Sequence, residues 1–160
     1  MRTDNNKVKN IIISVYYVLF IVTILLVTLL KVFSDGISNA FIINLMLIIG
    51  VSVLFLMLYF ISKHFEYDSD GVKVEVTNKG LLLSDFFKYR EHTAEFHKSQ
   101  LKDFKIKNYL GYKELVLLIE NSQGRFKKER FNVTLVSNKK QKYIKQSLGK
   151  MIKENRKSKD

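Results

Sequence analysis

The chain has 160 residues, with 27 Lys and Arg against 15 Asp and Glu and no cysteine. That length holds one soluble core beside a membrane segment but not two, and the missing cysteine excludes disulfides, thiolate nucleophiles and zinc sites built on Cys. The formal net charge of +12 favours anionic partners such as lipid headgroups, nucleic acid or an acidic protein, without choosing among them.

The chain is organised around two uncharged runs, residues 11–30 and 41–61, joined by the link 31–40. Neither run contains Asp, Glu, Lys, Arg, His or Pro. At ~1.5 Å of rise per residue each crosses the ~30 Å hydrocarbon core of a bilayer as a helix, with every backbone amide bonded within its own helix. Residues 1–62 therefore read as a transmembrane helical hairpin. A signal peptide is the rival for residues 1–30, but the apolar run is long, a second span follows at once, and no A-x-A-like cleavage site is present.

Arg2, Lys7 and Lys9 precede the first run against Asp4, the link carries only Lys31 and Asp35, and the basic excess resumes at Lys63. Flanks rich in Lys and Arg stay in the cytoplasm, so the N-terminus and the C-terminal domain are expected inside and the link outside. Within the runs Ser14, Thr23, Thr28 and Ser52 can bond back to their own helices, whereas Asn44 is expected to seek a partner across the helix pair. No intramembrane acid or base marks an ion path.

Residues 63–160 carry 23 Lys and Arg against 13 Asp and Glu, and here the apolar period changes to two. Val72, Val74 and Val76 alternate with Lys73, Glu75 and Thr77, the pattern of a half-buried strand. Asp70-Gly71 signals a two-residue hairpin between 65–69 and this strand, and Asn78-Lys79-Gly80 is read as a turn into a strand over 81–87. Further strands are expected near 92–97, 101–108, 113–121 and 125–135, separated at Tyr89-Arg90, Lys98-Ser99, Leu110-Gly111 and the stretch 121–124. That makes about seven strands.

Ile144, Leu148, Met151 and Ile152 then recur at helical spacing among Lys142, Lys145, Lys150 and Lys153, predicting a basic amphipathic helix over about 138–155. Asn138 followed by Gln141 resembles a helix start, with Ser137 as the other candidate cap.

Seven short strands closed by one C-terminal amphipathic helix give an α+β layout that resembles a pleckstrin-homology-like barrel or sandwich. With the hairpin, the chain resembles small bacterial two-transmembrane-helix proteins of unknown function that carry a C-terminal domain of this kind. The stretches 65–71 (FEYDSDG) and 128–135 (KERFNVTL) look like theirs. The resemblance implies a fold for residues 63–160 and a bacterial inner-membrane location, not an activity. Phosphoinositide-binding members use a basic first hairpin. Here that hairpin holds only Lys73 and Lys79 beside Glu66, Asp68, Asp70 and Glu75.

If 92–97 is a strand, His92 and His97 face opposite ways and cannot grip one metal, and with His64 they read as isolated surface or interfacial histidines. Asp68 and Asp70 suit a turn, and no downstream Glu completes a calcium loop. The short motifs of hydrolases, nucleotide cradles and zinc proteases are missing. Asn132-Val133-Thr134 matches a glycosylation acceptor but falls in an expected cytoplasmic strand. We expect no catalytic residue, no metal site and no cofactor.

The remaining feature is basic. Lys105 and Lys107 share one face of an expected strand, and Arg125, Lys127, Lys128 and Arg130 crowd the next one, where Phe126 and Phe131 differ in parity. That change of parity implies a bulge, or a strand that changes sheet near Glu129. These six cations are the candidate binding residues of a membrane-anchored, non-enzymatic interaction module for a protein partner or its own assembly. Anionic lipid headgroups are the alternative ligand, and nucleic acid is disfavoured because the tether restricts access.

Overall fold

A computed structural model of the chain describes residues 2–33, 40–80, 91–121 and 123–158. The chain divides into two compact units, Lys7–Phe60 on the one hand and Ile61–Asp160 with Met1–Asn6 on the other.

The first unit consists of helices α1 (Asn6–Phe33) and α2 (Ala40–Ile61). Each contains a 20-residue stretch long and apolar enough to cross a membrane, Asn10–Leu29 and Ile42–Ile61. Only 6% and 0% of these stretches is buried, unlike the core helices of a soluble protein. Ser14, Thr23, Thr28 and Ser52 donate to carbonyls one turn earlier in their own helices, at 2.7–3.1 Å. The Tyr16 ring packs on Phe55 with centroids 5.8 Å apart. The expected bond from Asn44 across the pair is not formed: its Oδ1 is shielded and has no hydrogen-bond partner among the described residues.

The second unit holds two antiparallel sheets and a helix. The first sheet has the order β1 (Arg2–Asp4), β2 (Lys63–Asp68), β3 (Lys73–Gly80), β4 (His92–His97). The second has the order β5 (Leu101–Tyr109), β6 (Tyr112–Glu120), β7 (Phe126–Asn132), and α3 spans Asn138–Lys157. Period-two alternation turns Phe65, Tyr67, Val74, Val76 and Phe96 inward from the first sheet and Leu101, Leu115, Leu117 and Phe131 from the second. Ile144, Leu148, Met151 and Ile152 of α3 complete this single core. Ser137 caps α3 by accepting from the Lys140 N–H, so Asn138 is the first helical residue.

The strand read at 81–87 lies outside the described residues. The first sheet gains β1 from the N-terminal flank, with Thr3 opposite Tyr67. Three residues are too few to display a period, so charge alone was legible there. Asn78-Lys79-Gly80 does not turn; β3 continues through Gly80, opposite Lys63. The loop at Asp70-Gly71 is wider than two residues, because the β2–β3 ladder opens at Asp68↔Glu75 while Lys73 and Val74 pair with β4.

β7 neither bulges nor changes sheet. Its register with β6 is unbroken from Glu114↔Asn132 to Glu120↔Phe126, and the irregularity falls in β5 between Leu101 and Asp103. Phe126 is 63% exposed; it points outward with Lys128 and Arg130, so no change of phase is required.

Among the described residues the sheets form no closed barrel, since no ladder joins them. They are joined by the 3₁₀ turn Lys98–Gln100 and by Asn78, whose carboxamide imitates a strand backbone. Its Nδ2 donates to the Asn132 carbonyl at 3.1 Å and the His64 carbonyl at 3.2 Å, and its Oδ1 accepts from the Asn132 N–H. Asn5 does the same beyond β1, accepting from Phe65 N at 2.9 Å and donating to the Lys63 carbonyl at 3.0 Å.

Candidate functional site

The strand registers place each of the six basic residues. Lys105, Val116 and Arg130 form one row across the second sheet, and Asp103, Leu118 and Lys128 the next. Lys105, Lys128 and Arg130 therefore share the exposed outer face with Phe126. Lys107 sits opposite Glu114, and Arg125 precedes β7. Lys127 has the opposite parity. Its Nζ lies 2.6 Å from Glu129 Oε1, and that hydrogen bond raises the Lys127 pKa. The structure thus brings four of the six, Lys105, Lys107, Lys128 and Arg130, to one face, and sets Lys127, its side chain 77% exposed, on the other beside Glu129.

Glu129 is the residue that sequence reasoning left unassigned. It shares inward parity with Phe131, and its side chain is only 8% exposed. A buried carboxylate requires partners. It has two: Lys127 on one oxygen, and His92 Nε2 on the other at 2.9 Å. His92 also lays its ring on Phe131, with centroids 5.0 Å apart. His92 is thus a surface residue, its side chain 50% exposed, but not an isolated one, and it and His97 lie on opposite faces of β4. The signal available in the sequence was a Glu at a core-parity position of a strand.

His92 and Glu129 tie the margin of the first sheet to that of the second. β4 and β7 are the outer strands of their sheets, and among the described residues neither pairs with a further strand on that side. Beside the tie lies a groove of about 370 Å³, lined by Ala94, Phe96, Ile119, Arg125, Phe126 and Lys127, with Glu129 on its wall. Its acidic residues are compensated. Glu95 pairs with Lys73 at 2.7 Å, whose hydrogen bond lowers the Glu95 pKa, and Glu120 pairs with Lys102. The groove therefore offers a mixed lining, Ala94, Phe96, Ile119 and Phe126 among more numerous polar residues, and two strand margins, with its carboxylates already paired. Among the described residues no three His, Asp or Glu converge on a common metal position.

No protein-family model, curated protein or solved structure matches this chain.

Proposed function

We propose that the chain is a membrane-anchored, non-enzymatic interaction module. Its groove between β4 and β7 takes an extended segment of a protein partner or of a second copy of the chain. The observation that carries this reading is a groove of about 370 Å³ between two strand margins that, among the described residues, no further strand covers. Backbone N–H and C=O groups along such a margin bind an added strand, and side-chain pockets beside it select the sequence.

The anchoring rests on two connections. Only Asn5 lies between β1 and α1, and only Ser62 between α2 and β2. Both ends of the helix pair run into one folded unit, which fits a hairpin with residues 2–4 and 63–158 on one side of the bilayer. The Lys/Arg bias favours the cytoplasm as that side, and the resemblance to small bacterial two-helix proteins makes the membrane a bacterial inner one. Four strands, three strands and a C-terminal helix support a PH-like reading of the domain.

The test is a photo-crosslinking residue at Phe126 in the full-length protein in its native membrane, with Tyr109, 52% exposed in the β5–β6 hairpin, as control. A discrete protein adduct at Phe126 and none at Tyr109 is the expected result. Equal capture at both positions, or none at either, refutes the groove.

A further inference from the structure

α3 carries Lys139, Lys140, Lys142, Lys145, Lys150, Lys153, Arg156 and Lys157 against Glu154 alone. At 3.6 residues per turn, Lys139, Lys142, Lys150, Lys153 and Lys157 fall within an arc of roughly 80°. That arc lies opposite the buried Ile144, Leu148, Met151 and Ile152. Lys139, Lys142, Lys145, Lys153, Arg156 and Lys157 are exposed and make no ion pair among the described residues. The one carboxylate on the helix stands 3.9 Å from Lys150. Packing of α3 against the sheets thus concentrates unneutralised positive charge in one stripe about 30 Å long.

Lys140 Nζ donates to the carbonyl of Asp4 and lies 3.7 Å from its carboxylate, and Asp4 precedes α1 by a single residue. At the end of β7, just before α3, Asn132 Nδ2 donates at 3.1 Å to the carbonyl of Ile61, the last residue of α2. The N-terminal connection thus leaves the domain beside the first turn of α3, and the other beside the end of β7, five residues ahead of that turn.

We propose that the solvent face of α3 is a second membrane contact of this chain, engaging the phosphates of anionic lipids. The inference rests on the reading of α1 and α2 as membrane spans. Opposite charge is what an anionic leaflet offers, and each Lys near such a surface changes the ratio of engaged to free domain about fivefold, decaying over a Debye length of about 8 Å. Tyr143, 42% exposed beside the stripe, adds an amphipathic ring of the kind that settles at headgroup level. This surface is distinct from the Lys105, Lys128 and Arg130 face of the second sheet.

The chain contains no Trp, so Tyr143→Trp supplies a single reporter. The full-length protein is placed in nanodiscs of phosphatidylcholine, alone or mixed with phosphatidylglycerol, each with the same fraction of dansylated headgroup lipid. Energy transfer from the Trp to dansyl should be stronger in the anionic discs. It should drop to the phosphatidylcholine level at high salt, or when Lys139, Lys142, Lys150 and Lys153 are all changed to Gln. If the quadruple variant misfolds by circular dichroism, the salt titration of the parent decides.

Equal transfer in both disc types, or transfer insensitive to salt, overturns the proposal. So does a Trp that responds to an added single-stranded oligonucleotide and not to lipid, which would make the stripe a nucleic-acid surface. Protein that fails to co-elute with discs of either kind refutes the membrane reading itself.

Discussion

Replacing Asn78 by Ala tests whether one carboxamide couples the two sheets. Asn78 is 4% exposed, and truncation removes its bonds to the His64 carbonyl, the Asn132 carbonyl and the Asn132 N–H. Three bonds at a net ~1 kcal/mol each give ~3 kcal/mol, rising to ~5 if the buried N–H stays dry, since an orphaned buried group costs ~1–3 kcal/mol. For a domain of about a hundred residues ~1 kcal/mol shifts Tm by roughly 4–8 °C, so a fall of at least about 12 °C is expected. Thermal unfolding of the full chain in detergent measures it, with exposed Asn108→Ala as a control expected within ~0.5 kcal/mol of the parent. Hydrogen exchange should show faster opening at the β7 end of the second sheet before any change inside β5 and β6. A Tm shift no larger than the control's would refute the backbone-imitating role.

Leu148 is fully buried, and Leu148→Ala should cost ~2–5 kcal/mol of a typical ~5–15, seen as a large loss of Tm; an unchanged melting curve would show that α3 is not part of the core. Burial raises the Tyr67 pKa above its usual 10.0, against hydrogen bonds from Ser147 and Ser69 that lower it. The folded state then holds this proton more tightly, so its contribution is intact below about pH 10 and is lost as pH rises through the raised folded value. Tyr67→Phe should flatten that alkaline loss in a denaturation series, and equal slopes would contradict it. Since cysteine is absent, single Cys residues can map topology: Ser38→Cys should react with an impermeant thiol reagent in intact cells, while Arg2→Cys and Ser122→Cys should both stay silent. Labelling of position 2 or of position 122 alone would break the assignment of β1 and the domain to one side.

Much of the architecture follows from local pattern. Two uncharged runs of spanning length can only be long apolar helices, and period-two alternation placed β4, β5 and β6 within a residue or so of where they lie. Ser137 and the spacing of Ile144, Leu148 and Ile152 define α3 for the same reason, since capping and a stripe at helical spacing are local properties. What tertiary structure decided is pairing between distant residues. Arg2–Asp4 is a strand only because the margin of β2 lies beside it, and Asn78 is a strand residue because Asn132 stands opposite, although Asn-Lys-Gly favours a turn by composition. Glu129 tolerates burial only because His92, from the other sheet, and Lys127 converge on it. A buried charge or carboxamide is stable only with its partners in place, and partners far apart in sequence leave no periodic trace in it.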